Sequence, residues 1–202
     1  RSTLFTAQPL PPGTSLGSLR GEIADLVGFT CEVILPATHD TGSAFLAVPL
    51  ASPNTAILSS GTWSLLGAEL ASPLLTEDAR QAGFTNELGY GGNVRFLRNI
   101  MGLWMVQCIR HELGDRYSYA QLADLALTGA GYTATVDATD PRFLAPGSMI
   151  GEVCAALAEN GAPPPENDAQ LMSCVLHSLA NAYARALSDL RKLTGRPMDA
   201  LH

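Results

Sequence analysis

Positive charge is scarce in this chain. Lys and Arg total 12 against 19 Asp and Glu, a formal net charge of −7 at pH 7. The few cations form no stripe, so no nucleic-acid partner is expected. Long apolar runs are missing too. The most hydrophobic windows, such as 44–49 and 100–105, fall far short of the roughly 20 residues of a membrane span, and no signal-peptide pattern opens the chain. The reading is a cytoplasmic protein with no membrane contact. Cys31, Cys108, Cys154 and Cys174 include no CxxC pair and no His at zinc-ligand spacing, which argues against structural zinc. With 47% hydrophobic residues in a chain of 202, a core needs no disulfides, and the thiols are expected to be free and buried.

Several catalytic signatures are also absent. His111-Glu112-Leu113-Gly114 lacks the second His of a zinc-protease helix, and Gly89-Tyr90-Gly91-Gly92 is not followed by the helix of a dinucleotide fingerprint. There is no Walker A lysine and no GxSxG serine. Hydrolase and oxidoreductase chemistry are therefore disfavoured.

What is present reads as mixed α and β. Residues 1–30 carry Pro9, Pro11, Pro12, Gly13, Gly17 and Gly21, which predicts turns and short extended pieces with one brief helix near 19–27. Residues 32–37 suit a short buried strand, and 40–48 a helix with Asp40 as N-cap, stopped before Pro49. Residues 55–60 and 62–69 read as two strands joined by a tight turn at Gly61. Loops and short strands are expected over 71–94, rich in glycine. Four helices follow on periodicity, at about 95–113, 118–127, 148–159 and 168–194, the last stopped by Gly195. In that helix Leu176, Leu179, Tyr183, Leu187 and Leu190 step by three or four and predict a core-facing stripe, with Arg185, Asp189 and Arg191 turned to solvent. The chain starts at Arg1 without Met, and its last residues turn apolar as if a strand were beginning, so it reads as a piece of something longer.

The chemistry concentrates in a few segments. Thr38-His39-Asp40-Thr41-Gly42-Ser43-Ala44 puts a carboxylate at a strand-to-helix corner, and Ser59-Ser60-Gly61-Thr62-Trp63 follows one strand later. A Gly-Thr turn lets backbone N–H groups and a hydroxyl approach an anion closely, because Gly has no Cβ. Each has an ordinary counterpart: Asp40 as a plain cap, Gly61-Thr62 as a type I′ or II′ hairpin turn with no ligand. Asn99 and Gln107, if both lie on the helix expected at 95–113, sit about 80° apart in projection and look toward one cleft. Their ordinary reading is a helix cap and a solvated side chain. Trp63 and Trp104 read as packing residues.

Together with Gly83-Phe84-Thr85-Asn86-Glu87 and the run from Arg95 to Trp104, these segments resemble the rhamnulokinases of the FGGY carbohydrate kinase family over nearly the whole chain. The resemblance implies an actin-like, ribonuclease H-like α/β fold of two domains closing over a ketose and MgATP. Residues 1–50 would be the end of the first, sugar-binding domain, and 51–202 the start of the second, nucleotide-binding domain. It implies Asp40 as general base, and His39, Asp40, Thr41 and Asn99 as sugar contacts. Gly61, Thr62 and Gln107 would contact ATP, and no residue here would ligate a metal. The implied reaction is phosphorylation of L-rhamnulose at its primary hydroxyl, with L-fuculose or another ketose as the alternative acceptor. The first domain's phosphate loop and the glycine-rich adenosine motif would lie outside this chain, so the isolated piece is expected to be inactive. A non-catalytic sugar-binding piece is the reading from another class.

Overall fold

The computed structural model describes residues 10–36, 39–50 and 52–202. Residues 1–9, Ala37 at the end of the expected strand and Thr38 of the first motif lie outside the described residues.

Proline and glycine spacing leaves the described residues before 50 only short elements. Strand β1 (Ser15–Ser18), helix α1 (Gly21–Val27), strand β2 (Glu32–Ile34) and helix α2 (Asp40–Ala47) follow in order. Strands β1 and β2 pair antiparallel as a two-stranded ribbon. The expectation of a buried strand at 32–37 fails: no residue of β1, α1 or β2 is buried. Among the described residues the run pairs with β1 alone, which is itself exposed. Helix α2 begins as expected, but its N-cap is His39 and Asp40 is its first helical residue. The imidazole Nδ1 accepts from the Gly42 N–H at 3.4 Å.

From residue 55 the pattern changes. Strands β3 (Thr55–Ser60) and β4 (Trp63–Leu70), helix α3 (Glu77–Gln81), and strands β5 (Phe84–Leu88) and β6 (Val94–Met101) lead into helices α4 (Trp104–Glu112), α5 (Tyr119–Thr128), α6 (Met149–Glu159) and α7 (Asp168–Thr194), then strand β7 (Ala200–Leu201). The sheet order is β5-β6-β4-β3-β7, antiparallel except for the parallel β3–β7 pair. The predicted helix at 95–113 is therefore a strand followed by a shorter helix. The reason is burial on both faces. Phe96 and Ile100 enter the main core with the helices, whereas Leu97 packs with Phe45 of α2 and Ile57. With apolar residues on both faces, Phe96-Leu97 and Ile100-Met101 fall four apart as on a helix face, and the period of two is lost. Gly102 then lets the chain turn, since a Cβ there would lie 2.6 Å from the Ser64 nitrogen and 2.7 Å from the Gly61 oxygen.

The remaining helices stand close to where their punctuation puts them. Ser118 and Gln121 form a capping box at α5, Ser148 and Asn167 cap α6 and α7, and Gly195 closes α7 with φ of 65°. In α7, Leu179, Ala182, Ala186 and Leu190 are buried, with Leu176, Tyr183 and Leu187 packed at the margin. Arg185 and Arg191 are exposed, but Asp189 is half-buried and reaches Arg98 at 3.6 Å. The strand expected at the C-terminus is β7.

All four thiols are free, and of them only Cys174 is buried. Burial pushes that thiol up to about 11. Cys31 departs from the expectation because it belongs to the segment without a core. No helix among the described residues is long and apolar enough to cross a membrane.

Candidate functional site

Side-chain alternation assigns one face of the sheet to the helices and the other to α2. Leu65 of β4 pairs with Asn99 of β6, and Ser59 of β3 pairs with Leu65, so these three side chains line up across three strands on the α2 face. Glu87 of β5 stands on the same face, one strand further out. Phe45, Ile57 and Leu97 form the small buried cluster that fixes α2 against this face. The N-terminal end of α2 thus overhangs the sheet beside the β3–β4 turn.

Between them lies a cavity of about 450 Å³ lined by His39, Asp40, Thr41, Ser59, Ser60, Gly61, Thr62, Trp63, Leu65, Glu87 and Asn99. Six of the seven residues singled out from sequence therefore share one cavity. Asp40 presents its carboxylate almost fully, with the side chain 96% exposed. Its Oδ1 accepts from the Thr41 N–H at 2.7 Å and lies 3.5 Å from the Thr41 hydroxyl, which leaves Oδ2 available to a ligand. His39 Nδ1 also lies 3.4 Å from Asp40 Oδ1. One ring nitrogen cannot accept from Gly42 and donate to Asp40 together, so the cap belongs to the Nε2–H tautomer and the ion pair to the protonated ring.

The turn opposite is held from behind. The Leu103 N–H donates to the Gly61 carbonyl at 2.9 Å and the Trp104 N–H to the Thr62 carbonyl at 3.0 Å. These are orphan donors at the start of α4, which has no side-chain cap. Gly61 lacks the positive φ of a type I′ or II′ turn, so the plain hairpin alternative does not apply in that form. Its own N–H is consumed inside the turn, donated to the Trp63 carbonyl at 2.9 Å. The expectation that both N–H groups face a ligand is thus halved: the Thr62 N–H donates to no protein acceptor among the described residues.

Gln107 is the seventh residue. It does not line the cavity, and it lies on α4 rather than on a helix shared with Asn99, which stands on β6. Its Nε2 donates to the Thr62 hydroxyl at 3.3 Å, so it acts on the turn from its outer side. Among the described residues no three His, Cys, Asp or Glu side chains are grouped to hold a metal ion.

Two residues change their reading. Trp104 packs against the core and donates from Nε1 to the Phe143 carbonyl at 3.2 Å, as a packing residue should. Trp63 is 44% exposed and lines the cavity, so packing alone does not describe it. Glu87 belongs to a sequence motif that gave it no role of its own. The signal that could have found it is the alternation in β5, where Phe84 is buried and the Asn86 side chain is engaged with the Leu74 backbone, which leaves Thr85 and Glu87 for the other face.

The profile of the FGGY family of carbohydrate kinases, C-terminal domain, matches residues 56–202. Over 182 residues the chain is 47% identical to a rhamnulokinase of Halalkalibacterium halodurans, covering 90% of this chain and 38% of that protein. A rhamnulokinase of Bacillus subtilis is 37% identical over 192 residues, with 95% of this chain and 40% of that protein covered. The chain thus spans well under half the length of these relatives. Among solved structures, a xylulose kinase from Rhodospirillum rubrum superposes with a TM-score of 0.58 at 17% identity, over 93% of this chain and 38% of that one. That likeness bears on the fold, which is the mixed α/β arrangement expected. With its profile covering almost three quarters of the residues, the chain belongs to the FGGY family of carbohydrate kinases.

Proposed function

We propose that the cavity between α2 and the β3–β4 turn is the phosphoryl-transfer site of an ATP-dependent kinase acting on L-rhamnulose, giving L-rhamnulose 1-phosphate and ADP. The observation that supports it most is the shared cavity, in which a free carboxylate and an anion-accepting turn face one reactant-sized space. The rhamnulokinase names of the relatives supply the substrate. On this reading residues up to about 50 close the sugar-binding domain, and 51 onward open the nucleotide-binding domain.

In such a transfer the transition state is loose, so positioning and charge neutralisation carry most of the catalysis. Asp40 Oδ2 accepts the proton of the primary hydroxyl as its oxygen bonds to the γ-phosphorus and the bond to the ADP oxygen breaks. Thr41 fixes Oδ1 and thereby the carboxylate plane. His39 and Asn99, from opposite walls, hold the ketose hydroxyls. The Thr62 N–H and hydroxyl receive phosphate oxygens, with Gln107 orienting the hydroxyl. ATP fits the turn by its free donor. Mg²⁺ would accompany the nucleotide phosphates and neutralise their charge.

The test is a coupled ADP-release assay on the protein at its full natural length, with L-rhamnulose, L-fuculose and D-xylulose as acceptors. L-rhamnulose is expected to give the highest kcat/KM. A preference for L-fuculose by tenfold or more would move the assignment to that epimer, and no turnover with any ketose would remove it.

A further inference from the structure

Beyond the residues assigned above, the cavity contains a second carboxylate. Glu87 faces Arg95 directly across the β5–β6 ladder, and its Oε2 lies 3.3 Å from Arg95 Nη2. The Arg95 side chain is only 8% exposed, whereas that of Glu87 keeps 31% and lines the cavity. Nη2 also donates to the Leu88 carbonyl at 3.2 Å. Nε and Nη1 are buried and have no partner among the described residues. A buried cation with so few acceptors depends on its counter-ion. Glu87 is therefore held in one place with part of its carboxylate left toward the cavity.

Arg95 also abuts the element that carries Asp40. A Cβ on Gly42 would lie 3.1 Å from Nη1, so the guanidinium lies against the first turn of α2, two residues past Asp40. On β6 it shares a face with Asn99, four residues on. One buried side chain thus lies against both Glu87 and the first turn of α2.

We propose that Glu87 is a specificity-determining residue that accepts hydrogen bonds from ketose hydroxyls, and that Arg95 is a positioning residue acting through it. This rests on the kinase reading of the same cavity. A carboxylate offers only acceptors, and a polyhydroxy ketose offers O–H donors whose directions differ between epimers. A fixed acceptor rewards one direction and leaves the other unpaired. Asn99 can donate or accept, so it tolerates either epimer, and the discrimination falls to Glu87.

The experiment compares steady-state kinetics of the full-length wild type, Glu87→Gln, Arg95→Lys and the double variant, with L-rhamnulose and L-fuculose. Glu87→Gln keeps the shape and removes the charged acceptor. Its KM for the preferred ketose should rise about 10- to 100-fold, as for loss of a hydrogen bond to a charged group. The KM for ATP should stay within about twofold, and the preference between the epimers should narrow. Arg95→Lys should shift the ketose KM in the same direction and add little on top of Glu87→Gln, because one change acts through the other. An active wild type together with an unchanged ketose KM in Glu87→Gln overturns this inference and leaves the kinase reading standing. A lowered melting temperature with unchanged KM in that variant gives the pair a structural role only and overturns the inference in the same way. A wild type inactive on every ketose overturns both.

Discussion

Not one residue of β1, α1 or β2 is buried, whereas α7 alone buries ten. The first region offers Leu16, Leu26, Phe29 and Ile34 to its surroundings, and the second stacks Phe96, Ile109, Phe143, Met149 and Leu157 into one core with four helices. The candidate site lies where the two meet. Its proposed base comes from α2, which Phe45 packs against Ile57 and Leu97 of the sheet, and its proposed phosphate turn comes from the packed region.

That division can be broken in order of expected effect. Asp40→Asn should lower turnover on the ketose by roughly 10² to 10⁴ if a positioned base is lost. Its exposed side chain predicts an unchanged melting temperature. A rate within threefold of wild type would take Asp40 out of the chemistry.

Phe45→Ala removes the largest side chain of the small cluster joining α2 to Ile57 and Leu97. Deleting a buried Phe costs about 3–5 kcal/mol in a core, and here the loss should fall on one element. Hydrogen exchange should speed up in α2 while the centre of α7 stays protected. Uniform loss of protection through α7 would mean that the two regions unfold as one.

Within the packed region, Cys174 makes stability depend on alkaline pH. Burial holds its folded pKa at about 11, above the ordinary thiol value near 8.5. The folded state therefore keeps a proton that the unfolded chain loses, and stability falls as pH rises from about 8.5 through 11, by about 3 kcal/mol at most. The urea midpoint should fall across that window, and Cys174→Ala should remove part of the slope. Tyr132 is also pushed up by burial, so some slope survives in the variant. An identical slope in wild type and variant would deny the thiol any role.

The smallest effect on stability should come from His39→Ala, although its KM for the ketose should rise as a proposed sugar contact is lost. N-caps contribute about 0.5–2 kcal/mol, and this one is long at 3.4 Å. Amide exchange should quicken at Gly42 and its neighbours in the first turn of α2, with no change in the global midpoint.

The fold was legible where punctuation is local. The helices expected from periodicity at 118–127, 148–159 and 168–194 stand as α5, α6 and α7, and Gly195 closes the last of them as expected. The β3–β4 turn was legible for the same reason. The segment 94–101 was not, because coverage of both faces removed the period that would have marked it as a strand. The expected Asp40 cap is off by one residue, since His39, itself extended, takes the role with its imidazole. Trp63 and Glu87 could not be assigned to a cavity until their strands had neighbours.

By itself the sequence determined the charge balance, the free thiols and the ends of α5, α6 and α7, all of which depend on composition or on partners a few positions away. Tertiary structure alone decided that Asp40 and Thr62, twenty-two positions apart, border one cavity. It also decided that the Gly61 N–H is spent within its own turn and that Arg95 is buried against Glu87. These outcomes depend on which strand lies beside which and which face a helix covers, and such long-range burial leaves no mark at any single position.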